Sequence, residues 1–109
     1  MSAATISATD ETFETEVEKQ NGVVVVDFWS TGCPPCRMMA PSLNELATEM
    51  VGKVKIVKVD VDDAPDVSAR FGIRALPTFI LFKDGNVVDK IVGAQAKAQF
   101  KSWIEGNLK

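Results

Sequence analysis

The stretch "VVVVDFWSTGCPPC", residues 23–36, joins a β-branched and aromatic run to the only two cysteines of the chain, Cys33 and Cys36. Val23 to Trp29 shows almost no alternation of apolar and polar residues, the pattern of a central strand covered on both faces, as parallel sheets require. Asp27 is its one misfit. The cysteines follow four residues beyond the strand, with only Pro34 and Pro35 between them, where the next helix begins. Three readings compete for such a pair: a structural staple, half of a metal site, or a working dithiol.

Composition narrows the choice. At 109 residues the chain is read as a single domain spanning 1–109, long enough to bury a core without disulfides or metals. A disulfide between residues three apart closes a very short loop and removes little entropy from the unfolded chain, so stability alone does not select it. There is no histidine, which excludes His-based triads and His-ligated metals. A zinc site needs four ligands, and two thiolates supply them only as a Cys₄ site shared between subunits. The net charge of −3 is scattered in both signs, with no Lys/Arg cluster that would mark a nucleic-acid or membrane surface. Met1 to Asp10 is small and polar without an apolar leader segment, and no stretch approaches membrane-spanning length. A cytoplasmic protein is expected, and in a reducing cytosol transient catalytic disulfides are commoner than standing ones.

The elements alternate. A short edge strand is weakly signalled around Thr5 and Ile6. Thr9 can cap a helix with an acidic first turn and Phe13 and Val17 four apart on its buried side, ending at Asn21-Gly22. From Pro34 to Val51, Met39, Leu43, Leu46, Ala47 and Met50 recur at helical spacing, and Pro41 inside that run is expected to kink the helix. Val54 to Val61 reads as a third strand, and "DDAPDVSARFG" as a short helix opened near Pro65 and closed at Gly72. Thr78 to Phe82, the turn Lys83-Asp84-Gly85-Asn86, and Val87 to Val92 form a hairpin, for which Asp-Gly is a strong signal. After Gly93 a last helix carries Phe100, Trp103, Ile104 and Leu108 on one stripe. The order β-α-β-α-β-α-β-β-α gives a three-layer α/β domain with helices on both faces of a central mixed sheet. In such sheets chemistry gathers outside the carboxyl ends of the strands, where Cys33 falls.

A helix N-terminus suits a working dithiol. The thiolate is the attacking species, and unpaired N–H groups with the helix dipole favour an anion on Cys33 while Cys36 lies beneath it one turn later. Pro34 fits the first helical turn, where a missing N–H costs little, although it also removes a possible donor to sulfur.

These residues resemble the thioredoxin family along the whole chain: "VVVDFW", "CPPC" in place of the family's Cys-Gly-Pro-Cys, Pro41, "VKVDVD", "FGIRALPTFILFKDG" and Gly93. The resemblance implies reversible dithiol–disulfide exchange, with disulfide-containing proteins as substrates, no cofactor or metal, and a thioredoxin reductase-like electron donor. A monomer is expected. Cys33 would attack and Cys36 resolve. Asp27, buried in the most apolar strand with its pKa raised, would exchange the proton of Cys36, and Lys58 on the neighbouring strand would help set its charge. The plainer readings are a hydrogen-bonded structural aspartate and a solvated strand lysine.

The family's proline at the position of Pro77 is cis and lies against the sulfurs, turning the backbone of Leu76 outward to pair with an extended substrate segment. Pro34, Pro35, Val61, Leu76, Pro77, Val92 and Gly93 would form the apolar rim, and Trp29 would both pack that rim and shield the disulfide. Two positions depart from the family pattern: Gly32 stands where a second tryptophan is usual, and Pro34 replaces a glycine. Both touch the site and bear on its redox poise and partners. Within the same chemistry the rival is a more oxidising thiol oxidase or isomerase, since the residues between the cysteines set the poise. The rival from another class is a binding subunit that keeps the fold without turnover.

Overall fold

A computed structural model describes residues 5–109, and the first four residues of the expected 1–109 domain lie outside them. Five strands, β1 (Ile6–Ser7), β2 (Val23–Trp29), β3 (Val54–Asp60), β4 (Thr78–Lys83) and β5 (Asn86–Val92), form one mixed sheet in the order β1-β3-β2-β4-β5. β3 pairs in parallel with β1 and β2, whereas β4 is antiparallel to both β2 and β5. Val23 to Phe28 are buried, as the unalternating run requires of the central strand.

Alternation along β2 divides its side chains between two cores. Val23 and Val25 pack with Ile56, Phe79 and Leu81 beneath α1 (Pro34–Glu49) and α3 (Lys97–Asn107). Val24, Val26 and Phe28 pack with Val57, Val59, Ile80 and Phe82 on the other face, against Phe13, Val17 and α2 (Pro65–Arg70). Helices on both faces of the sheet are the three-layer arrangement expected of the sequence. Among the described residues no helix is long and apolar enough to cross a membrane.

Boundaries differ in detail. α1 continues through Pro41 and ends at Glu49, two residues before the expected Val51. The third strand stops at Asp60, one residue before the expected end, although the Val61 N–H still donates to the Trp29 carbonyl at 2.9 Å. The expected cap at Thr9 is not the start of the helix: residues 10–12 form a turn in which Phe13 N–H donates to the Thr9 carbonyl at 2.9 Å and Thr9 N–H to Thr12 Oγ1 at 2.9 Å, and the helix follows Phe13 with no side-chain cap. It is a π-helical segment, Glu14–Glu18, in which Lys19 N–H reaches back to the Glu14 carbonyl, and it closes before Asn21. Phe13 and Val17 are buried in either register, so spacing fixed the buried side and not the hydrogen-bond step. In the β4–β5 turn both Asp84 and Gly85 have positive φ, 51° and 83°, the conformation that Asp-Gly turns favour. A Cβ at position 85 would stand 2.3 Å from the Glu18 carbonyl oxygen, which explains the glycine.

α2 starts after Ala64, a residue with no side chain to cap it. Its first N–H groups are satisfied from across the chain: Asp10 Oδ1 accepts from Val67 N at 2.9 Å and Oδ2 from Asp66 N at 3.3 Å. A carboxylate is also favoured there by the helix dipole. Asp10→Ala is expected to lower stability by about 1 kcal/mol, the usual cost of a lost N-cap, seen as a lower urea midpoint.

Candidate active site

β2 delivers the chain to the site. Beyond Trp29, Ser30 to Gly32 form a short bend closed by Cys33 N–H on the Ser30 carbonyl (3.3 Å) and by the Arg37 guanidinium on the Thr31 carbonyl (2.6 Å). Cys33 is the N-cap of α1, with extended φ of −114°, and Pro34 and Pro35 fill the first two helical positions. Neither proline can donate, so the first N–H of the helix belongs to Cys36. It points at Cys33 Sγ, at 3.2 Å. Cys33 and Cys36 are joined in a disulfide with Cα atoms 5.3 Å apart. Exposure does not distinguish the two, at 7% and 5% of the residue surface. The direction of the hydrogen bond does, because its sulfur acceptor is Cys33.

The sheet register places the remaining candidates. Val61 donates to the Trp29 carbonyl, Thr78 pairs with Phe28 and with Val92, and Gly93 N–H donates to the Pro77 carbonyl at 2.8 Å. Val61, Trp29, Pro77 and Gly93 therefore form a row along one end of the sheet, across β3, β2, β4 and β5, beside the bend that leads to Cys33. The Leu76–Pro77 peptide is cis. Pro77 is buried, whereas Pro34, Pro35, Gly32 and Val92 are exposed and Leu76 and Val61 half-buried. Gly32 lacks the left-handed φ that would demand glycine, and open space surrounds the position of a Cβ. Nothing in the fold excludes a side chain there.

Asp27 lies one layer below this row. It is 2% exposed and directly opposite Lys58 in the β2–β3 register. In phase with Val23 and Val25, it faces the side that α1, the helix of Cys36, covers. Lys58 Nζ sits 4.8 Å from the centre of the Trp29 ring, a cation–π contact that brings Asp27, Lys58 and Trp29 into one group. Among the described residues, Asp27 Oδ1 and Trp29 Nε1 are the buried side-chain polar atoms without a hydrogen-bond partner. Burial raises the Asp27 pKa from the usual 3.8 to about 7, with the Lys58 charge opposing the rise. A carboxyl that titrates near neutrality can take or return a proton in either direction.

The thioredoxin family model matches residues 4–106. The chain belongs to the thioredoxin family. It is 42% identical over 108 residues to the thioredoxin of Pseudomonas aeruginosa, covering 99% of this chain and 100% of that protein. It is 45% identical over 108 residues to thioredoxin 1 of Nostoc sp., with the same coverage, and 47% over 105 residues to the thioredoxin of Staphylococcus saprophyticus, covering 96% of this chain and 99% of that one. With the disulfide at Cys-X-X-Cys spacing, membership makes the chain a protein dithiol–disulfide oxidoreductase of thioredoxin fold. Sequence reasoning did not single out Arg37, the clamp on the bend before Cys33. A basic residue directly after Cys36 was the available signal.

The buried Asp27 carboxyl makes stability depend on pH. The unfolded chain releases this proton near pH 3.8 and the folded protein near 7, so between these values the folded state holds the additional proton and stability falls as pH rises. Above pH 7 the folded state carries the whole desolvation penalty, on the order of a few kcal/mol. Asp27→Asn and Asp27→Ala are expected to raise the urea midpoint at about pH 8, with a gain that shrinks towards about pH 4. A loss of stability at the higher pH in both variants would identify Asp27 as a satisfied structural group.

Proposed function

We propose that this protein-disulfide reductase works in the cytoplasm as a monomer of one domain, in which Cys33 attacks and Cys36 resolves. The hydrogen bond from Cys36 N–H to Cys33 Sγ carries this assignment, since a donor aimed at one sulfur favours that sulfur as thiolate.

The Cys33 thiolate attacks one sulfur of a substrate disulfide. The substrate S–S bond breaks, its other sulfur leaves as a thiolate that takes a proton from solvent, and the attacked sulfur is held with Cys33 in a mixed disulfide. Cys36 then gives its proton to the Asp27 carboxylate and attacks Cys33 Sγ, releasing the second substrate thiol and closing the Cys33–Cys36 disulfide. Two electrons have passed to the substrate, and a thioredoxin reductase-like donor returns them. Lys58 keeps the charge of Asp27 available by opposing its desolvation. Leu76, Pro77, Val61, Val92 and Gly93, with the exposed Pro34 and Pro35, form the rim that receives an extended substrate segment. Trp29 packs beneath it.

Cys36→Ser tests the division of roles. The variant is expected to accumulate mixed disulfides through Cys33 when mixed with oxidised protein substrates, and Cys33 of the reduced wild type should be alkylated by limiting iodoacetamide well before Cys36. Equal alkylation rates, with no trapped species, would remove the assignment. Gly32→Trp tests the rim. Because the position has room and no special φ, the variant should fold as the wild type does and gain coupling to a thioredoxin reductase from an unrelated source, through added apolar contact beside Cys33. Wild-type coupling already equal to that of Gly32→Trp would count against a docking role for this position.

A further inference from the structure

Met39 lies on α1 one turn after Cys36, is 3% exposed, and belongs to the core beneath the helix. Its sulfur is not merely packed. Met39 Sδ accepts the backbone N–H of Gln95 at 3.2 Å, from the connection between β5 and α3. Gln95 Nε2 in turn donates to the Gly93 carbonyl at 3.3 Å, and Gly93 N–H donates to the Pro77 carbonyl at 2.8 Å. A continuous set of bonds thus runs from the helix of the redox pair through residues 95 and 93 to Pro77. We propose that Met39 is a positioning residue for the substrate rim, its thioether fixing the Gly93–Gln95 segment against α1. The proposal rests on the reading of Val92 and Gly93 as part of that rim.

The chemistry makes the claim specific. Gln95 is half-buried, and its backbone N–H needs an acceptor. A thioether is a weak one, so the link orients the segment without locking it. Leucine has nearly the volume of methionine and preserves packing, but it offers no acceptor. A control lies at the opposite end of α1: Met50, its C-terminal cap residue, is also buried in this core, and among the described residues no hydrogen bond reaches its sulfur. The change Met→Leu at 39 and at 50 therefore separates lost packing from a lost bond.

Insulin reduction with dithiothreitol as the electron source provides the functional readout. Met39→Leu is expected to raise KM for insulin about three- to tenfold with kcat unchanged, as loss of substrate positioning alone predicts. The glutathione equilibrium of Cys33–Cys36 should not move, and amide exchange at Gln95 should accelerate by about tenfold. Met50→Leu should change none of these. Val92→Asp should raise KM by placing a charge on the rim. In the selenomethionine-labelled wild type, a ¹H–⁷⁷Se coupling across the hydrogen bond at Gln95 reports the contact without any mutation.

Absence of that coupling, or equal effects of the two methionine changes, overturns the proposal. So does an unchanged KM in Met39→Leu when Val92→Asp raises it. If Val92→Asp itself leaves KM unchanged, the rim reading fails first and the Met39 proposal falls with it.

Discussion

The structure depends on one constraint, the burial of β2 on both faces. A strand whose residues 23–28 are all covered must be flanked by neighbours on each edge and by helices above and below. β3 and β4 supply the edges, α1 and α3 one cover, and α2 with the Phe13–Val17 segment the other. The same burial forces the chain to leave the sheet at Trp29 in a short bend and to enter α1 at once. The thiols therefore stand where a helix N-terminus meets the end of the central strand. The position of the chemistry is a consequence of the packing.

An ionisable group inside that strand is the cost of the arrangement. The other members of the buried run are apolar, and Asp27 is held 2% exposed with Oδ1 lacking a partner. Lys58, opposite in register, moderates the charge without neutralising the effect of burial, and desolvation remains the larger influence. A buried carboxyl with a pKa of about 7 lowers stability at neutral pH.

The elements legible in the sequence were those whose signal is local. Unalternating Val23–Trp29, the helical spacing of Met39 to Met50, and Asp84-Gly85 between apolar runs each carry their own period or turn chemistry. What the sequence did not disclose depends on residues far apart in it. Asp10 caps α2 more than fifty residues away, where local reading finds only Ala64. Met39 meets Gln95 across a similar separation, and no periodicity distinguishes a methionine that packs from one that also accepts a hydrogen bond. The π-helical step over Glu14–Glu18 was hidden for another reason, since Phe13 and Val17 are buried whichever bond pattern holds. In the site, the two cysteines and the anomalous Asp27 were visible directly. Pro77 was singled out through family resemblance, because an isolated X-Pro pair favours trans.

The two prolines between the cysteines determine how the helix end treats sulfur. An α-helix normally opens with four N–H groups lacking intrahelical partners. In α1 those of Pro34 and Pro35 are absent, Cys33 N–H is used on the Ser30 carbonyl at 3.3 Å, and Cys36 N–H alone turns to Cys33 Sγ. The stabilisation available to a thiolate from the first turn is thereby concentrated in one bond and in the field of the helix. Pro34 and Pro35 thus limit the donors that the first turn can offer to sulfur, whereas Gly32 touches nothing where a side chain would begin.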